Sequence, residues 1–344
     1  MKIKKLHIKN FKSIADLEII QPNPFTVFVR PNGSGKSNIF EALEFYLKFR
    51  NNDDSIRLFG GEKSISNVIK FNKTRKFDFI TNEWTLNVDS FNEKDFQEVL
   101  NNIEEKTLIE NGISLESNSY KNIPNDHPVK QMVNNSNYYK RQFSRVFIKN
   151  NDKQKVNYQD DEKLSFSCDN LEKVLKRILK DEFKREEIGE WLDLFIPGYD
   201  KVEIESNELS GTDTLLIYEK GINKPFTKEL ISDGSYNILC LLTVVLQSDE
   251  PQFLCIEEPE NGLTPYVIRE MVNFFRNACE EKGHYIWLNT HSQSLVSELS
   301  GNEIITVNKR NGQTLIKQFK DEDLHGLRTD EAWLTNVLGG GLPW

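Results

Sequence analysis

The first residues that could do chemistry form a glycine-rich turn between an apolar run and a helical pattern. Phe25 to Val29 predict a buried strand, and apolar residues recur at helical spacing from Ile39 to Leu47. Between them stand Asn32, Gly33, Ser34, Gly35, Lys36, Ser37 and Asn38. In such a turn, backbone N–H groups and the positive end of the helix face one point, and glycines let the main chain approach an anion. We therefore predict a phosphate-binding P-loop in which these seven residues contact a nucleotide.

Two side chains of this loop have specific predicted roles. Lys36 can reach the β- and γ-phosphates, and the Ser37 hydroxyl can ligate Mg²⁺. Arg30 stands where the usual pattern begins with a glycine. Its side chain either obstructs the phosphate cradle or folds outward, and the sequence leaves both options open. We therefore expect nucleotide binding, with turnover that Arg30 can slow.

A second apolar run, from Phe253 to Ile256, ends in two adjacent carboxylates, Glu257 and Glu258. Adjacent residues at a strand end can point in different directions, so the two acids can take different roles. We predict that Glu257 belongs to the Mg²⁺ site and that Glu258 is the general base. Thr264 and Pro265 predict the cap and first turn of the next helix.

A third apolar run, from Tyr285 to Leu288, ends in the polar residues Asn289, Thr290, His291 and Ser292. A histidine at this position can reach the γ-phosphate or the attacking water. The alternative is a structural histidine beside a helix-capping Ser292. Because His291 lies in register with the other two strand ends, we predict a catalytic sensor.

The fourth group is Ser232, Asp233 and Gly234, at the start of a helix that continues with apolar residues. A serine and a glycine at a helix start can form another anion-binding nest. A second nest makes sense if it binds the γ-phosphate of a nucleotide held by another subunit. The alternative is an ordinary capped helix start.

Composition limits the class of protein. The 344 residues are 38% hydrophobic and 28% charged, as in globular proteins. No apolar run has membrane-spanning length and no signal peptide is recognisable, so we expect a cytoplasmic protein with no membrane partner. The four cysteines are scattered and predict reduced packing residues.

The net charge of −9 argues against general nucleic-acid binding, but the first twelve residues hold five lysines and no acid. That strip either contacts DNA phosphates or guards a solvated edge strand.

The remaining patterns divide the chain into four segments. Residues 1–91 contain an N-terminal strand pair, the P-loop and two further strands, and residues 92–170 form a loop-rich inserted lid with one strand at 143–148. Residues 171–309 begin with an amphipathic helix pair that Pro197 and Gly198 terminate, and include a hairpin within 202–218. Residues 310–344 form a tail that begins in a hairpin turn. Its tryptophans and glycine run favour either partner docking or packing back on the head.

Together these motifs resemble the ABC-type ATPase head of RecF, SMC and OLD-family proteins, particularly the short ATPases of bacterial anti-phage systems. The resemblance covers residues 1–49 and about 171–309. The matching segments are the opening hairpin (4–14), Walker A (32–38), the signature (231–235), Walker B (253–259), the D-loop (260–263) and the switch histidine (290–292). Arg30 and Thr264 depart from the family pattern, and the Q-loop glutamine is unassigned.

The resemblance implies an α/β P-loop NTPase fold of the ABC-ATPase head type. Its mixed sheet would carry an N-terminal antiparallel hairpin and an inserted lid subdomain. It also implies that ATP and Mg²⁺ are cofactors and that ATP is hydrolysed. Two heads would dock head-to-tail, or as a higher oligomer, so that Ser232 and Gly234 of one face the P-loop of the other.

These implications support three hypotheses about function. The first is a sensor or regulator of a partner effector, such as a nuclease or toxin, in anti-phage defence. Few residues follow His291, so we expect the effector activity to lie in a separate chain. The second is a RecF-like repair clamp that grips DNA directly. The third is a transporter subunit, which the opening hairpin and the segment Glu260 to Leu263 disfavour.

Overall fold

The computed structural model describes residues 2–29, 36–49, 76–81, 85–89, 141–148, 160–207, 209, 211–335 and 337–338. They belong to two compact units, residues 1–143 with 300–344 and residues 144–299. Arg30 and residues 32–35 of the predicted P-loop lie outside the described residues, as do most of the predicted lid and the last six residues of the tail.

The strands are numbered in chain order. They are β1 (Ile3–Phe11), β2 (Ile14–Ile20), β3 (Phe25–Val29), β4 (Lys76–Thr81), β5 (Thr85–Asp89), β6 (Phe143–Phe147), β7 (Tyr199–Asn207), β8 (Thr212–Glu219), β9 (Phe226–Thr227), β10 (Phe253–Glu257), β11 (Tyr285–Thr290), β12 (Ile304–Arg310) and β13 (Gln313–Gln318). The helices are α1 (Lys36–Glu44, continued by a π-helical turn at Phe45–Phe49), α2 (Leu171–Ile178), α3 (Glu182–Phe195), α4 (Asp233–Leu246), α5 (Pro265–Glu281), α6 (Gln293–Val296) and α7 (Thr329–Leu334). Short 3₁₀ turns lie at Gly301–Glu303 and Asp321–Leu324.

An antiparallel sheet opens the first unit, with the strand order β2-β1-β4-β5. Alternate residues of β1, including Leu6 and Ile8, are buried while the residues between them face outward. The predicted N-terminal hairpin and the two further strands predicted within residues 1–91 are confirmed as β1 with β2 and β4 with β5. β1 lies between two neighbours, so the interpretation of its lysines as guards of an edge strand is wrong. The sequence predicts that β1 and β2 are adjacent, but it does not predict that β4 pairs with the other edge of β1.

Acids neutralise part of the lysine strip. Lys5 pairs with Glu18 on β2, and Lys9 Nζ lies 3.2 Å from Asp16 Oδ2. Lys12 pairs with Glu41 on α1. The local positive charge is therefore smaller than the first twelve residues suggest.

The strand and helix that flank the P-loop form as predicted. All five residues of β3 are buried, which accounts for its unbroken apolar sequence. β3 pairs in parallel with β12, and β12 pairs antiparallel with β13, so this sheet is mixed. Phe28 and Phe40 contact edge to face, with 5.5 Å between their ring centres, and this contact packs α1 against β3.

The tail packs against its own unit as far as Leu338. Asn311 and Gly312, both at positive φ, form the tight turn between β12 and β13. Trp333 and Leu338 are buried, and the Thr306 hydroxyl donates to the Leu338 carbonyl at 3.2 Å. These residues of the tail therefore pack against their own unit, which is one of the two interpretations of the tail.

The second unit places β10 beside β11 in parallel, with β6 on the other side of β10. α4 is buried along nearly its whole length, whereas α5 buries one face. The predicted helix pair and the hairpin of β7 and β8 are both present. All four cysteines are buried and none forms a disulfide, which confirms their prediction as packing residues. Within the described part of the chain, no helix has the length and apolarity to cross a membrane.

Candidate active site

The two predicted catalytic residues lie side by side. Glu257 of β10 is paired in register with Asn289 of β11, so the residues that follow these two parallel strands emerge at the same sheet edge. His291 Nδ1 lies 3.5 Å from Glu258 Oε1. The side chains of His291 and Glu258 are 43% and 31% exposed, so water can reach both. Their proximity is what the predicted pairing of a base with a sensor requires.

The backbone turns sharply at Glu258. Its φ is +48°, in the left-handed region that non-glycine residues seldom adopt and that often occurs at functional sites. Its N–H donates to the Asn289 carbonyl at 3.0 Å and to Asn289 Oδ1 at 3.2 Å, which holds the turn. Asn261 Nδ2 donates to Glu258 Oε2 at 3.4 Å. Glu258 therefore faces solvent while Glu257 is only 5% exposed, and the prediction that the two acids point differently is confirmed.

Glu257 forms a buried ion pair with Arg145 of β6. The Arg145 Nε donates to Glu257 Oε1 at 2.7 Å, and Nη2 of the same guanidinium donates to the same oxygen. The guanidinium also stacks over Phe166, 4.8 Å from the ring centre. Arg145 was not among the residues predicted from the sequence. The available signal was one charged residue inside the apolar run 143–148, since a charge in a buried strand needs a partner.

The predicted Mg²⁺ ligands have suitable chemistry. Hydroxyl and carboxylate oxygens, as in Ser37 and Glu257, are the donors that Mg²⁺ prefers. Ser37 is partly exposed in the first turn of α1, in the other unit. No group of three or more His, Cys, Asp or Glu residues able to hold a metal occurs in the described ranges. That finding excludes only a metal site in these ranges whose ligands are all protein side chains. Mg²⁺ at nucleotide sites takes one or two protein ligands together with phosphate oxygens.

Glu260 fastens the segment after β10 to the segment after β11. The Thr290 hydroxyl donates to Glu260 Oε1 at 2.5 Å, and the His291 N–H donates to the same oxygen at 3.4 Å. Ser292 N–H donates to Thr290 Oγ1 at 2.9 Å. Burial raises the pKa of the Glu260 carboxyl, although the Thr290 hydrogen bond opposes this shift. These contacts determine where the His291 backbone sits, which sequence reasoning did not foresee.

The predicted signature segment packs against the predicted D-loop. Ser232 caps α4, because its Oγ accepts from the Ser235 N–H at 3.0 Å, and its side chain remains exposed. A Cβ atom added to Gly234 would lie 2.4 Å from the Gly262 carbonyl oxygen. Asn237 Nδ2 donates to the carbonyls of Pro259 at 2.9 Å and Asn261 at 2.7 Å. The helix start is therefore capped as the alternative proposed, and the contact of Ser232 and Gly234 with another subunit's nucleotide stays a prediction.

The described part of the P-loop begins at Lys36, the first residue of α1. Ser37 and Asn38 follow in its first turn. Asn38 Nδ2 donates to Ser13 Oγ at 2.6 Å, and Ser13 Oγ lies 2.6 Å from Thr314 Oγ1. Asn38 thus ties α1 to the N-terminal hairpin and to β13, a structural contact that its predicted role in nucleotide binding did not include.

Comparison with known proteins identifies the family. Residues 25–297 match the family described as "AAA domain, putative AbiEii toxin, Type IV TA system". The chain belongs to this AAA-domain family. It is an ATPase head of the RecF and SMC type with an α/β P-loop fold, as predicted from the motifs.

Curated relatives match short segments of this ATPase head. The chromosome partition protein Smc of Methanocaldococcus jannaschii is 51% identical over 45 residues, 13% of this chain and 4% of that protein. The DNA replication and repair protein RecF of Lactococcus lactis is 34% identical over 76 residues, 20% of this chain and 21% of that protein. The chain thus spans a small part of the length of these relatives.

Solved structures with a similar arrangement include the SMC head domain from Thermotoga maritima. It has a TM-score of 0.46 and 15% identity, and the match covers 93% of this chain and all of that one. An SMC head bound to the C-terminal winged-helix domain of ScpA has a TM-score of 0.48 and 15% identity, and covers 95% of this chain and 100% of that one.

Proposed function

We propose that this ATPase head binds and hydrolyses ATP, closes as a dimer around it, and regulates a partner effector in anti-phage defence. The observation that carries the proposal is the pair Glu258 and His291, brought within 3.5 Å at the ends of two parallel strands of an ATPase fold. A carboxylate open to water beside an imidazole suits the activation of a water molecule.

Each residue has a distinct role in the proposed reaction. Lys36 neutralises the β- and γ-phosphates, and Glu258 takes a proton from the attacking water. His291, whose backbone is held by Glu260, contacts the γ-phosphate or that water. Ser37 and Glu257 would hold Mg²⁺, which when bound neutralises charge between the phosphates.

Dimer closure would use the start of α4. Ser232 is exposed, and the 14-residue helix that it caps presents its positive end there. A γ-phosphate of a nucleotide bound to a second copy would be stabilised by that end. Each composite site would then need both subunits, so that ATP favours the closed dimer and hydrolysis releases it.

A defence context is supported by the family description, which names a putative AbiEii toxin of a type IV toxin–antitoxin system. That a separate nuclease or toxin chain is the effector is our proposal. The lysine strip is the local feature that favours the competing DNA clamp, and Lys5, Lys9 and Lys12 of that strip are paired with acids. A DNA contact through that strip would have to break or share these ion pairs.

The first experiment measures ATP binding with a fluorescent nucleotide. Lys36→Ala should abolish binding, because its ammonium neutralises the phosphates, while Lys4→Ala on the exposed side of β1 should bind like the wild type. Retained binding by Lys36→Ala would remove the P-loop from the proposal.

The second experiment identifies the partner. The chain is co-purified from its native host in the presence of ATP, and any bound protein is tested for nuclease or toxin activity. An associated effector whose activity changes with ATP supports the proposal. DNA affinity that appears only with ATP and falls steeply with salt would instead favour the clamp.

A further inference from the structure

A groove runs between helix α3 and strand β7, both of which belong to the second unit. Its volume is about 750 Å³, and Leu179, Val202 and Ile204 contribute apolar surface to it. In the three-stranded sheet β7-β8-β9, β7 pairs only with β8 among the described strands. The other edge of this nine-residue strand therefore presents backbone N–H and C=O groups that no described strand uses.

The rim of the groove is acidic, since four acids and two bases line it. Lys201 pairs with Glu203, with 2.7 Å between Nζ and Oε1. Glu186, Asp200 and Glu205 are exposed, and within the described ranges no ion pair neutralises them. Positive side chains on a chain that fills the groove would therefore be favoured.

Gly189 forms part of the helical wall of the groove. It lies inside α3, and a Cβ there would meet no heavy atom within 4 Å. Glycine in a helix interior is destabilising relative to alanine, and neither a turn nor a close contact accounts for it here. A backbone lying in the groove would account for it, because glycine permits the closest approach. Charges that merely guard an edge strand against pairing would not explain this glycine.

We propose that this groove binds an extended segment of a partner chain that carries lysine or arginine and adds to β7 as a fourth strand. Hydrogen bonds to the β7 backbone supply affinity for an extended chain, and the acidic rim selects a basic one. The inference rests on the proposed function in one respect, since the partner would be the proposed effector and the groove would be the surface that holds it.

The test uses two fluorescein-labelled peptides that match the nine residues of β7 in length. Valine alternates with lysine in one peptide and with glutamate in the other. Fluorescence anisotropy without nucleotide should show that the lysine peptide binds the wild-type protein at least about tenfold more tightly. Hydrogen exchange should slow at the β7 amides when this peptide binds, because new backbone hydrogen bonds protect them.

Three variants test which residues form the site. Glu186→Lys should weaken binding of the lysine peptide at least about threefold, because it reverses a charge of the rim. Glu190→Lys is the matched control, since Glu190 is exposed on the same helix but does not line the groove. Gly189→Gln should fill the groove and weaken binding at least about tenfold. This variant should fold normally, because the space at Gly189 is open and a helix favours glutamine over glycine.

Several results would overturn the proposal. They are absence of binding by the lysine peptide, equal affinity for both peptides, an affinity that Gly189→Gln leaves unchanged, and protection from exchange outside β7 alone. Self-association of the wild type without ATP that Gly189→Gln abolishes in light scattering would also overturn it. A second copy of this chain would then occupy the groove.

Binding of a fluorescent ATP analogue separates this inference from the proposed function. If the wild-type protein binds no nucleotide, the proposed function fails, and the peptide measurements still decide whether the groove binds a basic strand. If nucleotide binds but the lysine peptide does not, only the inference about the groove fails.

Discussion

The contact between Gly234 and Gly262 predicts a large effect from a single methyl group. In Gly234→Ala, the new Cβ would lie 2.4 Å from the Gly262 carbonyl oxygen and 3.3 Å from its carbonyl carbon. Ordinary contact begins near 3.4 Å, so the start of α4 and the loop at Gly262 would have to separate by about 1 Å. The obstacle is backbone, and it cannot rotate away as a side chain can. Gly262 also holds φ +75°, a conformation that limits how the loop can adjust.

The size of the effect follows from two opposing contributions. Overpacking of this kind costs about 1–3 kcal/mol, whereas alanine in a helix is favoured over glycine by up to about 1 kcal/mol. We expect a net loss of about 1–2 kcal/mol in the free energy of unfolding. Because Ser232 moves with the start of α4, we also expect ATP-dependent dimerisation to weaken.

Gly189→Ala is the matched control. Gly189 lies inside α3, and a Cβ there meets no heavy atom within 4 Å. The same chemical change should therefore stabilise the protein by about 0.5–1 kcal/mol. Urea-induced unfolding measures both variants, and light scattering with ATP measures the dimer. A Gly234→Ala protein as stable as the wild type, or stabilised like Gly189→Ala, would refute the reasoning.

Three further predictions concern this same unit. His284 is fully buried, and burial lowers its pKa from 6.5 to about 4. Between these pH values the unfolded chain binds more protons than the folded protein. The free energy of unfolding should therefore rise with pH, by about 3 kcal/mol in total. Urea unfolding from pH 4 to 7.5 should show this rise, and His284→Gln should flatten it; equal slopes would contradict the assignment. Thr290→Val removes the hydroxyl that donates to Glu260 and accepts from Ser292. It should lower the free energy of unfolding in urea at pH 7 by about 1–3 kcal/mol. Thr264→Val, which loses one weak helix cap, is the milder comparison. Glu258→Gln should bind ATP but not hydrolyse it, and should double in mass by light scattering only when ATP is present; a monomer with ATP would count against the closed dimer.

Much of this fold could be predicted from residues that are close in sequence. Strand β3 and helix α1, which begins at Lys36, depend on local apolar spacing. The caps at Ser232, Thr264 and Ser292 each accept from a backbone N–H three residues later. Interactions of this range depend little on the rest of the chain, so the sequence is enough to predict them.

The position of Glu258 next to His291 could be predicted in outline for a different reason. Two apolar runs that end in polar residues predict parallel strands with a shared edge, and the register of Glu257 with Asn289 confirms this. The turn at Glu258 with φ +48° could not be predicted, because the Glu258 N–H donates to Asn289, a residue of another strand.

Partners of buried charges were decided by tertiary structure alone. Arg145 and Glu257 are 112 residues apart, and they meet because β6 lies beside β10. Glu260 and Thr290 are 30 residues apart, and their contact joins the loop after β10 to the end of β11. β1 lies inside its sheet only because β4 pairs with it. The sequence by itself determined which residues carry charge and where strands and helices with clear apolar spacing or capping residues lie. Which charges neutralise one another depends on the order of strands in the sheet. A buried charge requires an opposite charge beside it, but the local sequence does not specify which residue supplies it.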